Sequence, residues 1–336
     1  MTLSTFELDI LNNAVDIFRK TTGLDVDIKQ DSHFEPIIRI KYQNNEFCFN
    51  VDVKPTINQA MFNINKQFEL YRKNQLLITN YATPQMADQL KKMGILFIDL
   101  AGNAHINQPP IYIHIKGNKL TKIKKDPVKR LFRPAGLKVL FALLCNPGLE
   151  KTSYRVIMKA ANVALGTVEI AMKELRELGY LIDLEKNNRK LVRRKKLLTR
   201  WVTAYPEQLR PELLKGYYKT EKEDWWTHIN LEKYSAKWGG EIAAALITKF
   251  YRPKIATIYT NELDNRFFLE NKMKKSSQGE IEIIQMFWGF EFNWQFENIV
   301  HPILVYADLV ASDAPRNVEM AGRIYEQELH RFIQED

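Results

Sequence analysis

The chain has 336 residues, of which 45% are hydrophobic and 26% charged, and its formal net charge is +9 at pH 7. These values are typical of a globular protein of two or three domains, each with its own core. No apolar run approaches the length of a membrane span, and the N-terminus has no basic segment followed by a hydrophobic one, so we expect a cytoplasmic protein.

Cysteine and histidine are scarce and scattered, which argues against a metal centre. The two cysteines, Cys48 and Cys145, each lie within an apolar segment, and the six histidines are not grouped at zinc-ligand spacing. We therefore expect two buried thiols in a reducing compartment, no metal site and no cofactor.

The first 118 residues alternate between helical and strand patterns. The predicted elements are, in order, a helix over 3–20, strands over 25–29, 36–42 and 46–54, a helix over 57–72, a strand over 76–79, a helix over 84–94 and a strand over 95–100. Asn44-Asn45 marks a tight turn between two of the strands, and Pro84 opens a helix. This order predicts an α/β sandwich as an independent domain over residues 1–118.

A short charged motif ends the third predicted strand. Asp52-Val53-Lys54 is followed on the next helix by Gln67 and Tyr71. With these motifs the domain resembles the PD-(D/E)XK nuclease-like fold, and the helix motif resembles that of RecB-like nucleases. The resemblance implies a site in which two carboxylates hold a divalent metal and the lysine positions the attacking water. The catalytic residues of such a nuclease would be Asp52, Lys54, Gln67 and Tyr71.

The second predicted strand lacks the other metal-binding carboxylate that such a nuclease needs. It reads Ile37-Ile38-Arg39-Ile40-Lys41, and Asp31 and Glu35 lie just before it. Those two carboxylates could substitute, or Asp52 could simply pair with Lys54 or Lys41. We predict a nuclease-like domain without activity, in a protein that is not an enzyme. The alternative is a metal-dependent nuclease that a second domain directs to DNA.

Residues 128–198 follow the pattern of a winged helix-turn-helix domain. An apolar helix ends at Asn146-Pro147-Gly148, a short helix covers 154–161, and a third helix runs from about 165 to 178 and stops at Gly179. Two strand patterns, 180–184 and 190–192, then flank the turn Asn187-Asn188 as a wing.

Basic charge is concentrated on this domain and its flanks. From Lys119 to Arg200 there are 21 Lys and Arg against 7 Asp and Glu, a local balance of +14, so the rest of the chain sums to −5. Such a concentration is what DNA phosphates require. It favours DNA binding over a winged helix that makes only protein contacts.

The predicted DNA contacts lie on two helices and on the basic run that follows the wing. On the third helix Val168 and Met172 face the core, so the neighbouring positions are available for base readout. There Glu169 either accepts a hydrogen bond from a cytosine amino group or pairs with Lys173 one turn later. The run from Arg189 to Arg200 should lie along phosphates rather than form a solvated tail. The predicted DNA-binding residues are Arg155, Lys159, Thr167, Glu169, Ile170, Lys173, Arg189, Lys190, Arg193, Arg194, Lys195 and Lys196.

Residues 199–336 predict an α+β domain, so the fold class is α/β (α+β) with three domains. Strands are predicted over 255–260, 266–270 and 280–287, and helices over 201–214, from 238 to 253, and from near 301 and 315. The polar residues Glu241, Asp308 and Arg316 stand out, but no spacing predicts that they converge. The many aromatic residues are expected in the core or at an interface, and an adaptor that binds a protein here is a further alternative.

Several stretches of the chain are similar to AbiEi-type antitoxins. They are Trp238 to Leu246 with Tyr251-Arg252-Pro253 and Ala256 to Tyr259, His301 to Leu309 with Asp313 to Asn317, and Leu96 to Ile106. The resemblance implies a transcriptional repressor of a type IV toxin-antitoxin operon, whose partner gene encodes a nucleotidyltransferase-like toxin. It implies double-stranded operator DNA, an inverted repeat, as the partner. In that family the antitoxin is thought to act without a stable complex, so direct toxin binding stays open.

Overall fold

The computed structural model describes residues 5–30, 36–68, 74–120, 129–184, 188–222, 224–249, 252–262, 265–292, 294–312 and 314–330. The chain divides into two compact units, an N-terminal unit over Met1–Asp126 and a C-terminal unit over Pro127–Asp336. Helices and strands are mixed in both units, as the predicted α/β class requires. Within the described ranges no helix combines the length and the apolar character needed to cross a membrane.

The N-terminal unit is built on one seven-stranded sheet. Its helices are α1 (Thr5–Thr22), α2 (Gln59–Phe68) and α3 (Pro84–Lys92). Its strands are β1 (Asp25–Gln30), β2 (Pro36–Tyr42), β3 (Asn45–Val53), β4 (Gln75–Thr79), β5 (Leu96–Asp99), β6 (Ala104–Gln108) and β7 (Ile111–Ile115). The strands lie in sequence order, with β3, β4 and β5 parallel and the other pairs antiparallel.

Helices cover both faces of this sheet. Helix α1 buries Leu11 and Phe18 in a core that includes Ile78 of β4. Helices α2 and α3 belong to a second core, which includes Leu77 of β4 and Phe97 of β5. Neighbouring residues of one strand enter different cores because side chains alternate between the faces of a strand. The predicted α/β sandwich architecture is therefore observed.

The elements predicted for this unit stop at residue 100 and do not include strands β6 and β7. The structure shows a tight turn at Ala101-Gly102-Asn103, which leads into them. The buried Asp99 carboxylate accepts hydrogen bonds from the backbone N–H groups of Ala101 and Asn103, both at 2.8 Å, and from that of Ala82 at 2.9 Å. Gly102 takes the left-handed conformation, with φ of 79°, so the chain can reverse into β6. Burial raises the pKa of Asp99, and these hydrogen bonds oppose the rise.

The C-terminal unit contains nine named helices and seven named strands among its described residues. The helices are α4 (Pro134–Cys145), α5 (Tyr154–Ala161), α6 (Leu165–Glu177), α7 (Arg194–Gln208), α8 (Arg210–Leu213), α9 (Gly240–Thr248), α10 (Asn265–Glu270), α11 (Pro302–Val310) and α12 (Pro315–Ile324). The strands are β8 (Leu181–Asp183), β9 (Arg189–Leu191), β10 (Leu214–Lys219), β11 (Ala236–Gly239), β12 (Ala256–Thr260), β13 (Lys274–Lys275) and β14 (Ile281–Gln285).

The predicted order of three helices and a hairpin is observed over residues 134–191, hereafter the helix–hairpin segment. Strands β8 and β9 form a two-stranded antiparallel sheet, and Gly179 follows α6 with φ of 69°. Because this left-handed conformation suits glycine, the chain can leave the helix sharply and enter the hairpin. The remaining strands form a five-stranded sheet in the order β11-β12-β14-β10-β13, in which β12 and β14 are parallel.

Two predictions for this unit are wrong. The helix predicted over 201–214 begins earlier, since the basic run contributes Arg189–Leu191 to strand β9 and then begins helix α7 at Arg194. The stretch predicted as a strand over 266–270 is helix α10, in which Phe267 is buried and Leu269 is 77% exposed. A run of only five residues is too short for its apolar pattern to distinguish a strand from one turn of helix.

Candidate nucleic-acid interface

Helix α6 has a buried face and an exposed face. Val168, Ala171, Met172 and Leu175 are buried, as predicted for two of them. Of the candidate readout residues, Glu169 and Lys173 are exposed, whereas Thr167 and Ile170 are partly buried. Lys173 Nζ lies 3.9 Å from a carboxylate oxygen of Glu177, which is one turn further along the helix. The ion pair that the structure shows for Lys173 is therefore with Glu177 and not with Glu169.

Helix α5 precedes α6 and presents two further cations. Arg155 and Lys159 are exposed, and Val156 between them is 46% exposed. The opposite side of the helix is buried through Ile157 and Ala160. The sequence prediction for this helix is compatible with the structure, since both basic side chains reach solvent.

The β8–β9 hairpin also has an inner and an outer face. Leu181 pairs with Leu191, and these two side chains are only 3% and 2% exposed. At the next position Ile182 pairs with Lys190; Ile182 is 41% exposed and Lys190 is exposed. Lys190 therefore points away from the helices, where a nucleic acid can reach it.

The basic run beyond the hairpin does not act as one surface. Arg193 is exposed and has a left-handed backbone, with φ of 54°, at the N-terminus of α7. Lys195 is exposed and Lys196 is partly buried. Arg194, in contrast, is 8% exposed, and its Nη2 donates to the carbonyl oxygen of Leu144 at 3.2 Å. The burial of Arg194 against the end of α4 argues against the predicted phosphate contact.

An aromatic cluster joins the helix–hairpin segment to the rest of the C-terminal unit. Phe141 of α4 is completely buried, and its ring stacks on Trp201 with centroids 5.3 Å apart. The ring centroids of Phe287 and Trp288, which follow β14, lie 5.0 and 5.8 Å from that of Phe141. The aromatic residues of this cluster therefore lie in the core and at an internal interface, as the sequence analysis expects.

A glycine allows a close backbone approach at the same junction. Gly289 N donates to the carbonyl oxygen of Ala160, the next-to-last residue of α5, at 2.8 Å. A Cβ atom at Gly289 would lie 2.4 Å from the carbonyl oxygen of Lys159, which is far inside van der Waals contact. The loop after β14 therefore supports the end of α5 directly before the turn into α6.

Two of the nuclease-type residues form an ion pair with each other. Lys54 Nζ lies 3.3 Å from Asp52 Oδ1, which is one of the two pairings that the sequence left open. On strand β2, where a nuclease of this type would carry its other metal-binding carboxylate, Arg39 forms an ion pair with Asp27 of β1. Within the described ranges no group of three or more His, Cys, Asp or Glu side chains is arranged to hold a metal ion.

The other nuclease candidates can be placed only in part. Gln67 belongs to helix α2, but its side chain is outside the described residues, and so is Tyr71. The two possible substitutes for the missing carboxylate, Asp31 and Glu35, also lie outside them.

No sequence spacing predicts a contact between Glu241 and Arg316, but in the structure their side chains belong to one buried hydrogen-bond network. Glu241 is 5% exposed, and its Oε2 accepts hydrogen bonds from Arg316 Nη2 at 3.2 Å and from the backbone N–H of Lys254 at 2.6 Å. Its Oε1 accepts from the Asn317 amide at 2.9 Å. The network ties α9 to α12 and to the chain before β12.

Asp308 belongs to a second buried network, centred on Arg210. The guanidinium donates from Nε to Asp308 Oδ1 at 3.1 Å and from Nη2 to Glu282 Oε2 at 2.6 Å. Tyr259 also donates to Asp308, and its hydroxyl is 2.7 Å from that of Tyr205 on α7. Burial raises the pKa of Asp308, whereas Arg210 and Tyr259 oppose this rise. Sequence reasoning missed Arg210 and Glu282 because neither lies in a motif.

Comparison with protein families finds a match within the C-terminal unit. Residues 190–330 match the model of a family described as "Transcriptional regulator, AbiEi antitoxin, Type IV TA system". The matched region runs from strand β9 to the last described residue and includes both buried networks. The match shows that this region is similar to AbiEi-type antitoxins, a family described as transcription regulators of type IV toxin-antitoxin systems. Comparisons with curated proteins and with solved structures found no match.

Proposed function

We propose that this protein is a sequence-specific DNA-binding repressor that acts as the antitoxin of a type IV toxin-antitoxin operon. The helix–hairpin segment is its winged helix-turn-helix, α6 is the recognition helix, and the β8–β9 hairpin is the wing. Operator DNA is its main partner. A nucleotidyltransferase-like toxin encoded nearby is the second, whether or not the two proteins touch.

The observation that carries this proposal is the two-faced character of α6. Its core face is fully occupied by apolar side chains, while Glu169 and Lys173 project into solvent. In winged helices the exposed face of this helix enters the major groove, where side chains can reach base edges. Exposed Arg155 and Lys159 on α5 and Lys190 on the hairpin supply the cations that phosphate binding requires.

We further propose that the N-terminal unit has a nuclease-like fold without nuclease activity. The order of its first strands supports the fold, because two antiparallel pairs lead into the parallel pair that β3 forms with β4. The sequence of strand β2 supports the loss of activity, since it carries Arg39 and Lys41 and no carboxylate that could serve as the second metal ligand.

The proposed function is tested by selecting fragments of the host genome that the purified full-length protein binds. We expect recovery of an operator near the gene itself. A specific repressor should bind it roughly 10³-fold or more tightly than random duplex at the same salt concentration. Fluorescence anisotropy with labelled duplexes measures both affinities. Equal affinity for the recovered fragment and for random duplex would contradict sequence-specific binding.

A further inference from the structure

Arg189 and Lys190 are adjacent basic residues on strand β9, and the sequence alone predicts that both contact DNA. Their positions in the hairpin differ. Arg189 pairs in register with Asp183, on the face that also carries the buried leucine pair, whereas Lys190 is on the outer face. Since successive side chains of a strand point to opposite faces, only Lys190 is directed away from the helices.

Arg176 connects the hairpin to the recognition helix. This residue lies in the last turn of α6, and its Nε and Nη2 donate to the two carboxylate oxygens of Asp183 at 2.7 and 3.1 Å. Its Nη1 also donates to the carbonyl oxygen of Met172 at 3.2 Å and to the Tyr154 hydroxyl at 3.4 Å. Such a bidentate contact fixes the orientation of the guanidinium relative to the carboxylate as well as the distance between them. It lowers the pKa of the Asp183 carboxyl, so the carboxylate stays charged.

Arg189 completes the connection from the other strand. Its guanidinium lies 4.9 Å from the ring centroid of Tyr154, the first residue of α5, and its Nη2 donates to the carbonyl oxygen of Thr152. Its Nε is buried. Tyr154 therefore contacts Arg176 through its hydroxyl and Arg189 through the face of its ring. These contacts hold both strands of the hairpin to the helices.

We propose that Tyr154, Arg176, Asp183 and Arg189 are positioning residues that hold the wing in a set direction relative to α6, while Lys190 makes the wing's phosphate contact. This inference rests on the proposed DNA-binding function. A duplex has to meet the recognition helix and the wing at the same time. A wing that is already held in place loses less conformational freedom on binding, which favours the operator complex.

The adjacent variants Arg189→Gln and Lys190→Gln make a matched test, because each removes one positive charge from the same strand. For Lys190→Gln, we expect the slope of log K against log salt to fall by about 1 unit, with operator and random duplex weakened alike. For Arg189→Gln, we expect an unchanged slope and a loss of roughly 3- to 10-fold for the operator alone, the size of one or two hydrogen bonds. An equal loss of slope in both variants would make Arg189 a phosphate contact and overturn the proposal.

A measurement on the free protein separates the positioning role from DNA binding itself. Arg176→Lys keeps the charge but loses the paired contact with Asp183, so amide hydrogen exchange in β8 and β9 should become faster while α6 stays protected. Arg323→Lys, which alters an exposed pair with Glu319 on α12, is the control and should leave the hairpin unchanged. Unchanged exchange in Arg176→Lys would refute the positioning role. If wild-type protein binds no duplex, the proposed function fails, and this exchange measurement still decides whether Arg176 positions the hairpin.

Discussion

Replacing Phe141 should destabilise the whole C-terminal unit and not the helix–hairpin segment alone. Its ring is completely buried at the junction between α4, α7 and the loop after β14, where it contacts Trp201, Phe287 and Trp288. Phe141→Ala should therefore leave a cavity shared by the DNA-binding elements and the region similar to the antitoxin family.

The expected decrease in the free energy of unfolding is a large fraction of the stability of a typical domain. A buried Phe→Ala change costs about 3–5 kcal/mol, through lost transfer energy and the cavity that remains. For a unit of this size, each kcal/mol lowers Tm by roughly 2–4 °C. The melting temperature of the C-terminal unit should therefore fall by roughly 6–20 °C. Phe141→Leu, which keeps more of the volume, should show the same pattern with a smaller decrease.

Tryptophan fluorescence is a suitable probe for this experiment. All six tryptophans lie at or after Trp201, so their signal reports on the C-terminal unit alone. Phe18→Ala is a matched control, because Phe18 is equally buried but belongs to the core of the N-terminal unit. That variant should lower the midpoint temperature of an unfolding transition seen by far-ultraviolet circular dichroism and leave the transition seen by tryptophan fluorescence unchanged.

Hydrogen exchange supplies the result that would refute this reasoning. Peptides from α5 and α6 and peptides from α9 and α11 should all exchange faster in Phe141→Leu. Faster exchange confined to α5 and α6 would mean that the helix–hairpin segment and the rest of the unit are independent domains. The boundary near residues 198 and 199 that the sequence predicts would then be the correct one.

Four further predictions concern the interface and its chemistry. Glu169→Ala and Lys173→Ala should change base preference at particular operator positions by roughly 1–3 kcal/mol; equal effects on every single-base operator variant would mean that α6 is not the reader. Lys195→Ala should weaken operator and random duplex alike and reduce the salt slope by about 1 unit, whereas an unchanged slope would remove it from the phosphate contacts. Purified protein with Mg²⁺ or Mn²⁺ should leave supercoiled DNA intact, and cleavage that disappears in Asp52→Ala would restore the nuclease alternative. The hydrogen bonds from Arg176 lower the folded-state pKa of Asp183, so the ionised carboxylate should stabilise the folded protein at pH values above its unfolded pKa of about 4. This contribution should disappear as the pH falls through the folded-state pKa. Urea unfolding between pH 3 and 7 should therefore show a weaker dependence of stability on pH in Asp183→Asn.

Local sequence patterns were sufficient for the order of helices and strands where the periodicity is long or a turn residue is distinctive. The three helices and the hairpin of residues 134–191 follow from apolar spacing, from Asn146-Pro147-Gly148 and from Gly179, because these are backbone preferences of nearby residues. The core face of α6 could be predicted in the same way. Two apolar positions four residues apart, Val168 and Met172, define one side of a helix wherever that helix lies.

Tertiary structure alone decided which charged residues remain available to a partner. The run of basic residues after the hairpin looks uniform in sequence, yet Arg194 is buried on α4 and Arg189 is held by Tyr154. The pairings of Glu241 with Arg316 and of Asp308 with Arg210 were equally invisible, since each joins residues about 75 to 98 positions apart. Burial and ion pairing depend on which elements pack together. That packing arises from contacts between distant parts of the chain and leaves no periodic signal in the sequence around either partner.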